Sequence, residues 1–239
     1  VLSAMRESSG YHISVKGGRF LEAVAKADTI VFDKTGTLTY ATPTVAAVIP
    51  FGGHDEAEML RLAACLEEHY PHSMANAVVA EAKRHGLTHE EYHSQVQYVV
   101  AHGISSMVEG KKVIIGSAHF VFEDEGCRIP EGEQPKFDAL PAAYSQLYLC
   151  IDGELAAVIC IHDPLRREAR EAVRALHESG FANVVMMTGD NRRTAETVAA
   201  EVGMDAVYAE VLPEDKAAFI RQEKAKGHTV IMVGDGVND

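Results

Sequence analysis

Residues 27–39 read ADTIVF followed directly by DKTGTLT. Ala27 to Phe32 is a short, nearly continuous apolar run, the pattern of a strand buried on both faces of a parallel sheet. It ends on Asp33 and opens into a polar turn with one glycine, Gly36. The same grammar returns twice. Asn183 to Met187 (NVVMM) runs into Thr188-Gly189-Asp190, and Thr229 to Val233 (TVIMV) runs into Gly234-Asp235-Gly236. Helical patterns lie between: Leu165 to Ser179 before Gly180, Arg192 to Val202 before Gly203, and Pro213 to Lys226 before Gly227. Pro213 suits a first helical turn and is followed by the acids Glu214 and Asp215. Strand–helix alternation of this kind predicts βαβ units, right-handed crossovers and a parallel sheet. All three polar turns then gather at the carboxyl edge of that sheet, where open α/β sheets bind ligands.

Residues 41–156 break the rhythm. Helices are expected near Asp55 to Glu68 and Ser73 to His85. Strand-like segments follow at Gln95 to Val100, Ser106 to Val108, Lys112 to Ile115, Gln146 to Ile151 and Leu155 to Ile161, separated by turns such as Glu109-Gly110 and Asp152-Gly153. This predicts an α+β unit inserted after the first strand of the α/β domain. Glu123 to Pro141, rich in Pro, Gly and acids, is expected to be a dispensable surface loop.

Composition narrows the function. At about 150 residues per domain, 239 residues make one large domain or two modest ones. Apolar residues at 47% and charged residues at 24% are globular values. With 22 Lys and Arg against 35 Asp and Glu, the net charge of −13 argues against nucleic acid or an anionic membrane surface as partner. A polyphosphate substrate would need a cation and local lysines to offset that field. The four cysteines form no C-x-x-C pair, so reduced, mostly buried thiols are expected rather than a zinc knuckle or disulfide framework. The histidines show no convincing metal spacing; His69 and His72 share a helical face but lack an evident third ligand. No apolar run reaches the ~18 residues of a membrane span. The chain starts without Met, lacks a signal-peptide layout, and stops on GDGVND, so a piece of something longer is expected.

The strand ends carry the chemistry. A carboxylate at Asp33 can attack phosphorus, with following N–H groups and hydroxyls holding the transferred oxygens. Thr188 and Gly189 add a hydroxyl and an unhindered N–H, Lys216 can balance phosphoryl charge, and Asp235 can hold Mg²⁺ opposite Asp33. That is the equipment of phosphoryl transfer.

Asp33-Lys34-Thr35-Gly36-Thr37-Leu38-Thr39 resembles the phosphorylation motif of the P-type ATPases, ion pumps of the haloacid dehalogenase superfamily. Thr188-Gly189-Asp190 and Gly234-Asp235-Gly236-Val237-Asn238-Asp239 resemble their two further motifs, in the same order. The resemblance implies that Asp33 becomes an aspartyl phosphate, with Mg²⁺ on Asp33, the Thr35 carbonyl and Asp235. It also implies that Thr37, Thr188, Gly189, Lys216 and Asn238 surround the phosphate. Asp163-Pro164 with Arg166 resembles the family's hinge returning from the nucleotide-binding domain. Thr35 stands where soluble phosphatases of this superfamily commonly carry an acid–base Asp, which favours a longer-lived phosphoenzyme.

Glu67 to Ser73 (EEHYPHS) resembles the histidine-containing nucleotide motif of the heavy-metal branch, with His72 on the family histidine and Glu67 five residues earlier. Ser73 replaces a proline and Pro71 a glutamate. Gly103-Ile104 resembles the second half of a Gly-x-Gly segment whose first glycine is here Ala101, and Gly116-Ser117 resembles a Gly-Asn pair lining the same pocket. The resemblance therefore implies a Rossmann-like phosphorylation domain (1–40 and 157–239) with an inserted nucleotide-binding domain (41–156). It implies ATP and Mg²⁺ as ligands, and transmembrane and actuator domains of a parent pump as partners. The implied setting is the cytoplasmic side of an integral membrane protein, the fragment itself being monomeric. A soluble phosphatase and a non-catalytic nucleotide-binding regulator are the alternatives.

Overall fold

The computed structural model describes residues 2–87, 95–99 and 103–236. The chain opens with helices α1 (Leu2–Gly10) and α2 (Gly18–Lys26), which bury no residue and which periodicity did not single out. Strand β1 (Thr29–Asp33) follows, then a second, antiparallel region. That region comprises β2 (Thr44–Pro50), α3 (Glu56–Glu67), α4 (Ser73–Arg84), β3 (Gln95–Val99), β4 (Gly103–Val108), β5 (Lys111–Gly116), α5 (Gln134–Asp138), β6 (Ser145–Ile151) and β7 (Glu154–His162). The alternating pattern then resumes through α6 (Ala169–Glu178), β8 (Asn183–Met187), α7 (Arg192–Val202), β9 (Ala206–Tyr208), α8 (Lys216–Ala225) and β10 (Val230–Val233).

Two sheets result. The four-stranded sheet has the order β10-β1-β8-β9, and its pairings are parallel. Val31, Val185 and Met187 pack against Phe219 and Ile220 of α8, whereas Met186 packs against Ala195, Val198 and Ala199 of α7 and Ala169 of α6. Helices therefore cover both faces, which is why its strands read as uninterrupted apolar runs. Register sets Asp33 beside Met187 and Phe32 beside Val233, so the Asp33, Thr188 and Asp235 turns leave the same edge together.

The six-stranded sheet has the order β2-β7-β6-β5-β4-β3 and is antiparallel. Leu147 and Leu149 face α3 and α4, whereas Tyr148 and Cys150 face a second core with Phe51, Phe120 and Leu155. Strand β7 consequently buries seven consecutive residues, and the continuous run LAAVICI belongs to an antiparallel strand covered on both faces. The strand extends to His162, so the antiparallel sheet reaches past the expected limit at 156. Strand β2, which had no alternation to mark it, lies at that sheet's edge.

Glu123 to Pro141 is not a dispensable loop. Cys127 and Leu140 are buried in the second core, Phe137 packs beside them, and α5 forms within the segment. Its Pro and Gly content signalled turns, while the few apolar residues that anchor it were too widely spaced to show a period. All four cysteines are buried. Among the described residues, no helix is long and apolar enough to cross a membrane.

Candidate active site

The turn after β1 is shaped by Gly36, which sits at φ 78° in the left-handed region. A Cβ there would lie 2.5 Å from Asp235 Oδ2, so the glycine leaves room for that carboxylate against the turn. Gly36 N–H donates to Thr39 Oγ1 (3.1 Å), and Arg166 Nε donates to the Thr37 carbonyl (3.0 Å). Arg166 N–H also donates to the Leu38 carbonyl (2.8 Å), and Thr39 bridges Leu165. The two strands of chain joining the sheets thus run side by side.

Asp33 Oδ2 accepts a hydrogen bond from Lys216 Nζ at 2.6 Å, both side chains being only 16% exposed. Pro213–Asp215 forms a tight turn that delivers Lys216 to the start of α8. A cavity of about 520 Å³ opens in front of this pair. Asp33, Thr35, Gly189, Lys216 and Asp235 line it together with Tyr70, His72 and Ser117. Residues from positions 33 to 235 thereby share one wall system between the two sheets.

Other expected residues fall beside the cavity rather than on it. Thr188 is 5% exposed; its hydroxyl accepts from Asp190 N–H (3.1 Å) and its carbonyl from Val211 N–H (3.1 Å). It shapes the turn that presents Gly189. Thr37 Oγ1 is buried without a hydrogen-bond partner, an orphaned hydroxyl adjacent to the nucleophile turn. Glu67 is buried, and its Oε2 lies 3.2 Å from His72 Nε2 outside hydrogen-bond geometry. His72 Nδ1 accepts from Ala75 N–H (3.2 Å), so this residue is the N-cap of α4 as well as a cavity wall. Tyr70 packs edge-on to its ring at 5.8 Å.

Gly103, Ile104 and Gly116 do not line the cavity. Ile104 is 3% exposed in the core under α3 and α4. Gly103 pairs with Gly116, and a Cβ on Gly103 would meet the Phe120 ring at 2.3 Å, so close packing is what this glycine permits. Of the Gly116-Ser117 pair only Ser117 lines the cavity. Asn238 and Ala101 lie outside the described residues.

Sequence reasoning missed Glu210, Val211 and Leu212, which complete the wall near Lys216. Glu210 has φ 57°, unusual for a non-glycine, but a lone Glu after a short strand carries no sequence signal. It also missed the ion pair of Lys34 with Asp190, whose side chains are 5% and 9% exposed. At the hinge, burial pushes the Asp163 carboxyl up from the ordinary range, against the lowering influence of Lys34 and Thr39, and its Oδ1 has no hydrogen-bond partner.

The donor set suits a small hard cation. Asp33, the Thr35 carbonyl and Asp235 offer oxygen alone, and Gly36 keeps space for the Asp235 carboxylate. No group of three or more His, Cys, Asp or Glu capable of holding a metal occurs among the described residues. Mg²⁺, which is typically held by one or two carboxylates together with phosphate oxygens, fits such a site. The carboxylates of Asp33, Asp235 and Glu210 outnumber Lys216 here, so a polyphosphate entering the cavity requires a cation with it.

A carboxylate at the carboxyl edge of a doubly wound sheet, paired with a helix-borne lysine and sharing a cavity with a second aspartate, is an arrangement suited to phosphoryl transfer. The chain belongs to the haloacid dehalogenase-like hydrolases, whose family model matches residues 27–239. Within that family its similarities are to P-type ATPases. It is 36% identical over 247 residues to the copper-exporting P-type ATPase of Bacillus subtilis (strain 168), an alignment covering 100% of this chain and 29% of that protein. Identity to the silver exporting P-type ATPase of Salmonella typhimurium is 37%, over 95% of this chain and 27% of that protein. The fold superposes on the catalytic domain of the CPx-ATPase CopB-B with a TM-score of 0.73 and 26% identity, covering 98% of this chain and 81% of that one. A zinc-transporting PIB-type ATPase matches with a TM-score of 0.59 and 31% identity, over 100% of this chain and 38% of that one. The chain thus spans less than a third of the length of these curated relatives.

Proposed function

We propose that this chain is the ATP-hydrolysing part of a heavy-metal-transporting P-type ATPase, acting on the cytoplasmic side of membrane helices that lie elsewhere in the parent protein. The observation that carries the reading is the single cavity joining the Asp33–Lys216 pair to His72. That one lining includes both sets of residues supports a ligand that touches both, as a nucleoside triphosphate would. In this reading residues 41–162 form the nucleotide-binding unit, and residues 1–40 with 163–239 form the phosphorylation unit.

The adenine end lies against Tyr70, His72 and Ser117, and the triphosphate extends toward Gly189 and Lys216. An Asp33 carboxylate oxygen attacks the γ-phosphorus, the bond to the β–γ bridging oxygen breaks, and ADP leaves. Water later cleaves the aspartyl phosphate, restoring the carboxylate and releasing inorganic phosphate. Lys216 orients Asp33 before attack and offsets charge on the transferred group. Gly189 N–H and the Thr37 hydroxyl are donors for the equatorial oxygens. Asp33, the Thr35 carbonyl and Asp235 would hold Mg²⁺, which supplies charge neutralisation between phosphate and carboxylates. Thr35 has no ionisable group for acid–base work, so hydrolysis waits on another part of the pump. That favours a transport intermediate over a free-standing phosphatase.

The test is phosphoenzyme formation. With Mg²⁺ and γ-labelled ATP, acid-stable, hydroxylamine-labile label should appear on Asp33 and vanish in the isosteric Asp33→Asn variant. Label persisting in that variant would overturn the assignment.

A further inference from the structure

Away from the cavity, the two sheets are tied by a seam of hydrogen bonds along the start of β6. Lys34 Nζ, ion-paired to Asp190, also donates to Ser145 Oγ at 2.9 Å in a buried setting. Asn191 Nδ2 donates to Gln146 Oε1 (3.2 Å) and to Tyr148 Oη (3.0 Å). Thr194 Oγ1 donates to the Tyr144 carbonyl (3.2 Å), and an Arg193 guanidinium nitrogen to the Asp138 carbonyl (2.7 Å). Every donor belongs to the catalytic turns or the first turn of α7. Every acceptor belongs to the antiparallel region, in β6, directly before it, or at the end of α5. Neither Ser145 nor Lys34 lines the cavity of Asp33 and His72.

The placement of these residues gives the seam a consequence. Lys34 follows the nucleophile directly, and Asp190 follows Gly189. A buried Lys–Asp pair leaves a remaining ammonium N–H that needs an acceptor, and Ser145 supplies it from the opposite sheet. Rotation of the antiparallel region away from α7 would strand that donor and also break the Asn191 bonds. The seam therefore favours one orientation, and the catalytic turns are its anchor.

We propose that Ser145 and Asn191 are positioning residues that hold the nucleotide-binding region at the angle needed to aim a bound triphosphate at Asp33. The proposal rests on the phosphorylation reading above. It distinguishes substrates by whether they need both ends of the cavity. ATP, gripped at its base end, depends on the angle between the sheets. A small phosphoryl donor such as acetyl phosphate reaches Asp33 without it.

The experiment uses Ser145→Ala, which removes one buried hydroxyl, and Asn191→Asp. The latter keeps the acceptor that caps α7 through Thr194 N–H (2.9 Å) and puts a charged carboxylate oxygen where the donor stood. Spin labels on exposed positions 111 and 178 report the angle between the sheets by distance distribution. The parent should give one narrow distance and both variants a broadened or displaced one. Labelling of Asp33 from ATP should fall about tenfold in the variants, a misplacement effect, while labelling from acetyl phosphate stays within about twofold. Unchanged distances, or parallel loss with both donors, would overturn the proposal. If the parent takes phosphate from neither donor while the variants still broaden, the seam stands as an orienting device and the Asp33 assignment fails.

Discussion

Gly36→Ala isolates what the nucleophile turn contributes to geometry. At φ 78° an alanine is strained by about 1–2 kcal/mol, and its Cβ would meet Asp235 Oδ2 at 2.5 Å, Cγ at 3.1 Å and Cβ at 3.2 Å. Three atoms of a short side chain are involved, so rotating the carboxylate alone gives no relief. Ordinary contact begins at 3.4 Å, and the turn and Asp235 must separate by about 0.9 Å to reach it. Displacement of about 1 Å at a reacting centre costs roughly 100-fold in rate. Gly110→Ala is the control: its φ is also 78°, but a Cβ there meets nothing within 4 Å. Both variants should lose about 1–2 kcal/mol in urea unfolding. In single-turnover labelling of Asp33 from ATP, Gly36→Ala should slow by roughly 30- to 100-fold and Gly110→Ala should match the parent. Equal rates for the two variants would refute the steric argument, because strain alone is common to both.

His72 has two roles that substitutions can separate. His72→Asn keeps a side-chain acceptor for Ala75 N–H, so unfolding stability should hold while ATP binding, followed calorimetrically, weakens by roughly 0.5–1.5 kcal/mol; unchanged affinity would confine this residue to capping. Asp163→Asn should stabilise the chain at pH 7. A carboxyl whose folded pKa is raised favours the folded state below its ordinary value and is lost as a contribution when pH climbs through the folded value. The gain from the variant should therefore shrink as pH falls toward 3.8, and a gain equally large in acid would contradict burial as the cause.

That the three polar turns share one sheet edge was legible in sequence because a parallel sheet converts sequence order into spatial order. Once ADTIVF, NVVMM and TVIMV are strands, Asp33, Gly189 and Asp235 must meet at one edge, whatever intervenes. Lys216 followed from the helix start after Pro213. The rest of the cavity lining was less legible. His72 and Ser117 reach the cavity, but Ile104 is core, because a β4 residue's facing depends on pairing with β5 rather than on its own neighbours. LAAVICI read as a strand without showing that both of its faces are covered, since periodicity reports one face only when the other is wet.

What the amino-acid sequence determined by itself was local: buried strands, the turn chemistry that follows them, helix limits at glycine, and the order of the carboxylates at the strand ends. What only the tertiary structure decided was everything carried by contacts far apart in the chain. The Lys34–Ser145 bond joins residues 111 apart and the Lys216–Asp33 pair joins residues 183 apart. Serine and lysine in isolation favour solvent, and no local pattern marks a side chain that is buried because a distant partner satisfies it. Such long-range pairs, and the cavity that residues from both regions line, become visible only when the chain is folded.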